Sequence, residues 1–328
     1  MNTILSVLSF LFTVGLVGLM TLMYFRVVQG IDRFEKEPTR YVVAAFLWGA
    51  APAVLIALVL QLILSLPLTL ILGEDSLASA LVGASIIAPI TEELVKGAAV
   101  AIIYLARRQE FDGWVDGIVY GAAAGFGFAF VENVLYLMGT ETAEEWVALF
   151  FLRVIVFGFM HGFWTALTGL GFGIARNTTS IAQKGIAILA GLSVAIFSHL
   201  IHNGAVTLAE ASSGATIWIA LINYAFLVVG LLIASAAALY HDRQIMKTYL
   251  LDEVPAVLTH EEYQSLITAR SAAGARLGIL APRRRALVQA AAELAQKKRQ
   301  LAKLGEEHLI GADIDRLRQQ MIALRQAA

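Results

Sequence analysis

Seven apolar runs of about 20 residues or more recur along this chain, at residues 4–25, 41–72, 77–106, 114–138, 147–175, 185–209 and 215–240. Each is long enough to cross a hydrocarbon core of ~30 Å. In such a core there is no water for the backbone, so every run must satisfy its own N–H and C=O groups as a helix. The fold class that follows is all-α: a polytopic membrane helix bundle of about seven transmembrane helices with a soluble helical tail. Composition agrees, with 59% of 328 residues hydrophobic, 15% charged and a mean hydropathy of +0.74. There are no cysteines, which excludes structural disulfides and thiolate metal sites.

The first run has no basic residue before it and no small-residue cleavage pattern, so it is expected to be an uncleaved anchor. Pro52 and Pro67 are expected to kink or shorten the second, and Ser76 to cap the third. Gly117, Gly121 and Gly125 give the fourth the small-residue spacing of close helix packing. Arg26, Arg33, Lys36, Arg40, Arg107, Arg108, Arg176 and Lys184 fall on one side of the alternating loops. Glu74, Asp75, Glu210 and the acidic loop of Glu141, Glu144 and Glu145 fall on the other. The bias predicts an outside N-terminus and a cytoplasmic C-terminus.

Residues 1–240 carry 10 basic against 15 acidic side chains, and residues 241–328 carry 14 against 10. Two domains are therefore expected: a seven-helix membrane domain over 1–240 and a cytoplasmic helical tail over 241–328. Thr259 and Glu262 make a capping-box pattern for a helix over 260–272, with further helices over 283–304 and 314–326. Arg283 to Arg285 and Lys297 to Arg299 are candidates for contact with lipid headgroups, the alternative being a solvated helical hairpin. Nothing in the sequence points to nucleic acid.

The third run contains Glu92, Glu93 and Lys96 within one helical turn. At a membrane helix centre each costs roughly 2.5–3.5 kcal/mol, so they must face protein or a wet cavity and mark a functional site. Glu92 and Glu93 point about 100° apart, so at most one is expected to aim squarely at a shared centre, with Lys96 on the Glu92 face. Glu132 and Asn133 lie in the fourth run, Arg153 and His161 in the fifth, and His199, His202 and Asn203 in the sixth. His199 and Asn203 share a face one turn apart.

There is no Ser-x-Gly nucleophile context paired with a lysine or histidine, no Gly-x-Asp pair of the aspartyl-protease type and no His-Glu-x-x-His helix. A buried glutamate can act as general base on water, a neutral imidazole can orient it, and an asparagine amide can donate to an oxyanion. Glutamate with two or three histidines can instead hold Zn²⁺ with one position open. Both routes are water-activated hydrolysis.

Glu92-Glu93-x-x-Lys96, Phe128-x-x-x-Glu132-Asn133 and the later membrane histidines resemble the motif set of the PrsW family of intramembrane proteases. The acidic stretch from Asp32 to Pro38 resembles the loop after that family's first span, and Asp116-Gly117 to Gly121 the start of its glycine-rich helix. The resemblance covers roughly residues 26–205. The family is distantly similar to the CAAX-protease and bacteriocin-processing group, whose site joins a paired glutamate to a His-x-x-x-Asn pair.

The resemblance implies Glu92, Glu93, Glu132, His161, His199 and Asn203 as catalytic residues. Glu132, His161, His199 and His202 are the candidate ligands should the chemistry depend on a metal. It further implies a membrane-protein substrate such as an anti-sigma factor, a lipid environment, and a multi-pass location in the bacterial inner membrane. A proton- or ion-coupled transporter built on the same buried set is the main alternative, and a receptor or scaffold with a structural polar core is the third.

Overall fold

A computed structural model describes residues 3–30, 37–73, 76–107, 110–268, 282–304 and 307–326. The acidic stretch at 32–36, Glu74, Asp75 and Arg108 lie outside the described residues. The chain is all-α, with no strand among the described residues. Among the described residues six helices are long and apolar enough to cross a membrane: Ile4–Gln29, Thr39–Leu72, Trp114–Met138, Ala143–Arg176, Ile181–Thr207 and Ile217–Tyr249. Residues 77–106 form one more long helix, and it is the one that carries Glu92, Glu93 and Lys96.

In chain order the helices are α1 (Thr3–Gln29), α2 (Thr39–Trp48), α3 (Val54–Leu72), α4 (Leu77–Val82), α5 (Ala88–Ala106), α6 (Trp114–Met138), α7 (Ala143–Leu149), α8 (Met160–Arg176), α9 (Ile181–Thr207) and α10 (Ile217–Tyr249). The remainder among the described residues are α11 (His260–Ile267), α12 (Pro282–Leu304) and α13 (Glu307–Gln326). The chain divides into two compact units near Ile233.

In the first unit α6 is the central helix: 78% of its apolar window is buried, against 17% for α1 and 11% for the helix over 39–72. Its glycines make this possible. A Cβ on Gly117, Gly121 or Gly125 would run into the backbone of Gly169, Thr165 or His161 on α8, so α6 and α8 meet backbone to backbone. On its other side Gly127 abuts the Phe46 carbonyl of α2.

Pro52 does not break its helix. It sits in a widened π turn, Gly49–Ala53, that joins α2 to α3, while Pro67 lies inside α3 without ending it. Proline cannot donate to the carbonyl four residues back and crowds it, and a π turn moves that carbonyl aside. A second π turn, Gly83–Ile87, joins α4 to α5. Ser76 caps α4 as expected, its hydroxyl accepting from the Ser79 N–H at 3.0 Å.

The run over 147–175, expected to be the fifth span, lies within the single crossing-length helix Ala143–Arg176, which changes its winding part-way. A π segment at Phe150–Val156 ends in a turn at 157–159, and α8 restarts just before His161. The Tyr24 hydroxyl donates to Val154 O at 2.6 Å, supplying a partner at the break. The acidic loop is also partly helical: Thr142 and Glu145 form a capping box, which puts Glu144 and Glu145 at the positive end of α7.

The second unit has its own core, including Leu250, Leu258, Leu294, Leu317 and Met321. α10 runs unbroken through Tyr240, so the boundary drawn at 240/241 falls inside a helix. The Thr259 capping box forms on α11 as expected, and residues 269–272 lie outside the described residues. On α12 the basic run at 297–299 is turned inward, while Arg284 and Arg285 are exposed. Lys297 and Arg299 are buried, and Lys298 Nζ lies 2.7 Å from the buried Glu253 carboxylate, which also pairs with Arg318 at 2.8 Å.

Candidate active site

α5 contributes Glu92, Glu93 and Lys96, all buried. Lys96 Nζ is 2.6 Å from Glu93 Oε1 and 3.5 Å from Glu92 Oε2, and it lies over the Phe128 ring of α6 at 4.6 Å. Both carboxylates therefore reach one centre, contrary to the expectation that only one would. The lysine falls between their directions, and flexible glutamate side chains close the 100° gap.

Glu93 is fully committed. Its Oε1 meets His199 Nδ1 from α9 at 3.0 Å as well as Lys96, and its Oε2 accepts from the Thr165 hydroxyl of α8 at 3.2 Å. Glu92 is only half committed. Its Oε1 accepts from the Gln61 amide of α3 at 3.2 Å, whereas its buried Oε2 has no hydrogen-bond partner. Around that atom stand Lys96 Nζ, then His161 Nδ1 and His199 Nε2 at 3.9 Å each. These gaps exceed a hydrogen bond.

His161 on α8 is held from behind. Its Nε2 lies 2.8 Å from Glu132 Oε2 of α6, and the Arg153 guanidinium is 2.9 Å from the same oxygen. Arg153 also donates from Nε to Asn133 Oδ1 at 3.2 Å and covers the Tyr136 ring at 3.7 Å. The break before α8 brings Arg153 and His161 onto α6 together.

These partners assign the tautomers. His161 Nδ1 lies 3.0 Å from Lys96 Nζ and so accepts, which leaves Nε2–H to face Glu132. His199 Nδ1–H faces Glu93, which leaves the Nε2 lone pair toward Glu92. The Glu92 oxygen and the two imidazole lone pairs thus converge, with Lys96 the one donor in that contact set. One ligand atom from each of Glu92, His161 and His199 lies within 4.8 Å of the others.

Of the four metal ligands expected from the sequence, His161 and His199 converge while Glu132 and His202 do not. Glu132 sits behind His161, on the far side of the ring. His202 packs edge-on against Phe157 at 4.7 Å and its buried Nδ1 has no hydrogen-bond partner. Glu92 takes the third place. Asn203 is used elsewhere: its amide donates to the Ala84 carbonyl at 2.9 Å, inside the π turn between α4 and α5. One helical turn beyond His199, it meets that widened turn instead of the carboxylates. Gln61 and Thr165 escaped the sequence reading. Gln61 had a signal, a lone amide in the leucine-rich stretch of α3.

A bundle of apolar helices enclosing carboxylates, imidazoles and a cation defines a membrane-embedded polar site able to activate water. The comparisons make the class particular. The PrsW family of intramembrane metalloproteases matches residues 37–235, more than half of the chain. Protease PrsW of Geobacillus kaustophilus is 29% identical over 174 residues, 52% of this chain and 69% of that protein. Protease PrsW of Oceanobacillus iheyensis is 34% identical over 89 residues, 26% of this chain and 37% of its own. Protease PrsW of Bacillus subtilis is 28% identical over 155 residues, 46% of this chain and 63% of its own. No solved structure matches the chain. The chain belongs to the PrsW family of intramembrane metalloproteases, and its enzyme class is that of a peptidase.

The family's metal can be weighed against the residues present, and they fit one. Three lone pairs converge on a buried point, one of them otherwise orphaned. Both imidazoles are backed by carboxylates, the arrangement that orients metal-binding histidines.

Proposed function

We propose that the chain is an intramembrane endopeptidase that cleaves a peptide bond in or beside the transmembrane segment of another membrane protein. The observation that carries this is the uncommitted Glu92 Oε2, buried and faced by His161 Nδ1 and His199 Nε2. Glu92, His161 and His199 are the residues that would hold a divalent ion such as Zn²⁺. Such an ion, when bound, polarises a carbonyl and lowers the pKa of water.

The chain's own residues divide the rest of the work. In a metal-free route Glu92 Oε2 is instead the group placed to take a proton from the attacking water, since both oxygens of Glu93 have partners and Glu132 lies on the far side of the His161 ring. Glu93 and Glu132 hold the two imidazoles in the tautomers that leave Nδ1 of His161 and Nε2 of His199 unprotonated. Lys96 offsets the charge of Glu93 and donates toward negative charge that develops beside Glu92. Arg153 does the same for Glu132.

The topology that serves this reading has seven spans, with 77–106 as the third and the N-terminus outside. The chain is then a multi-pass protein of the bacterial cell membrane. A membrane-anchored anti-sigma factor is the regulatory substrate to test first. Nothing favours the ion-coupled transporter.

The experiment compares membranes expressing the wild-type chain with membranes expressing Glu92→Gln at equal folded levels, mapping protein termini by mass spectrometry. New termini near the membrane segment of a single-span protein, present with the wild type alone, are expected. Identical terminal profiles with both chains folded would sink the reading.

A further inference from the structure

One face of the His199 imidazole lies on an indole. The Trp164 and His199 rings are 3.7 Å apart at centroid and inclined by 12°, and both residues are buried. Glu93 touches His199 at Nδ1 alone. A single contact on the perimeter of a ring sets one direction in its plane and leaves the ring free to tilt about that contact. A parallel ring removes the tilt.

Trp164 is itself anchored. A buried indole N–H needs an acceptor, and Trp164 Nε1 donates to Ser198 Oγ at 3.1 Å. Ser198 precedes His199 on α9, so one turn of helix carries both the imidazole and the anchor of the indole beneath it. A hydroxyl can rotate, and α10 stops it from doing so. Ser198 Oγ donates to Asn223 Oδ1 at 2.9 Å, while Asn223 Nδ2 donates to the Ser198 carbonyl at 2.9 Å. The second bond fixes which end of the amide is oxygen. That oxygen takes the hydroxyl proton, which leaves the Ser198 lone pairs for the indole.

We propose that Trp164 is a positioning residue that sets the plane of His199, and that Ser198 and Asn223 form a proton-ordered clamp that holds Trp164 in place. The inference rests on the reading of His199 as part of a peptidase site. It adds three residues on three helices that no motif singles out.

The test uses the full chain purified in detergent. Diethyl pyrocarbonate modifies accessible imidazoles, and mass spectrometry gives the rate at each histidine. Trp164→Leu and Asn223→Leu should raise the rate at His199 severalfold. His260, an exposed histidine outside the bundle, serves as reference and should not change. Ser198→Thr keeps the hydroxyl and should restore the wild-type rate that Ser198→Ala loses. On the substrate found with the Glu92→Gln comparison, kcat should fall about tenfold in Asn223→Leu with KM unchanged.

Should Trp164→Leu fail to fold, Asn223→Leu carries the test, because its half-buried position on α10 tolerates an apolar side chain. An unchanged His199 rate in a folded variant overturns the proposal, and so does an equal rise at every histidine, which would mean general loosening. Neither outcome depends on cleavage. A wild-type chain that produces no new termini would defeat the peptidase reading and leave the reactivity result intact.

Discussion

At the residue scale the site works by dividing labour between neighbours of identical chemistry. Glu93 is saturated by Lys96, His199 and Thr165, while Glu92 keeps one oxygen free. The sequence shows two adjacent glutamates and cannot rank them, because the ranking depends on what three other helices bring to each. Gln61 matters for the same reason. Its amide fixes the Glu92 carboxylate by holding Oε1, so that Oε2 turns to the histidines. Gln61→Leu should lower the cleavage rate about tenfold, the usual cost of removing an orienting partner. The melting temperature should stay the same or rise, since a polar group held among apolar helices for function is kept at a cost in stability. Initial rates and a thermal melt in the same detergent check both halves.

At the element scale the site depends on how closely α6 and α8 approach. Glu132 rides on α6 and His161 on α8, and their 2.8 Å contact exists because Gly121 and Gly125 let the backbones touch. Gly121→Val must push the helices apart or distort them, a cost of about 1–3 kcal/mol or more, and should abolish cleavage as His161 leaves Glu132. Gly15→Ala on α1, where a Cβ meets nothing within 4 Å, should leave both the melt and the activity alone. The glycine spacing was legible in the sequence, since a small residue every fourth position can serve little else in a membrane helix. The interruption before His161 was not. No proline marks it, and the Val154 carbonyl at the break takes a partner from Tyr24, over a hundred residues away in sequence.

The second unit carries a pH dependence of its own. Burial by itself raises the Glu253 carboxyl, but hydrogen bonds from Arg318 and Lys298 and their charges outweigh it, and the group titrates below its ordinary value. A carboxyl depressed in the folded state stabilises fully above its unfolded pKa of about 4.3 and loses that contribution as pH falls through the folded value. Amide protection of α13 in the full-length chain should therefore be flat from neutral pH down to about 5, then decline below it. Arg318→Gln should weaken protection at neutral pH and flatten that acid decline. An unaltered profile in Arg318→Gln would remove Glu253 from the account.

At the scale of the whole molecule, topology is the property open to a direct check. The chain contains no cysteine, so single introduced thiols report their own side of the membrane. With the N-terminus outside and seven crossings, Glu141→Cys should react with an impermeant maleimide in intact cells. Thr178→Cys should react only after permeabilisation. Reversed labelling, with Thr178→Cys reactive in intact cells and Glu141→Cys only after permeabilisation, would remove one crossing before them, and the helix over 77–106 would be the first suspect. That helix is the one in which apolar length and buried charge conflict.

What the sequence determined by itself was everything that depends on the solvent around a segment: helices rather than strands, roughly where they lie, and which few polar residues must face inward. A bilayer imposes those choices on any chain, one segment at a time, because every backbone group and every charge must be satisfied where it stands. The roster of Glu92, Glu93, Glu132, His161 and His199 was legible on that ground. Only the tertiary structure decided which of them meet. It put Glu132 behind His161 and Glu92 before it, sent Asn203 to a backbone carbonyl, and enlisted Gln61, Thr165 and Trp164. Those assignments turn on a break in one helix and a glycine seam between two others, where a displacement of an ångström or two selects the partner, and periodicity along a chain carries no information at that resolution.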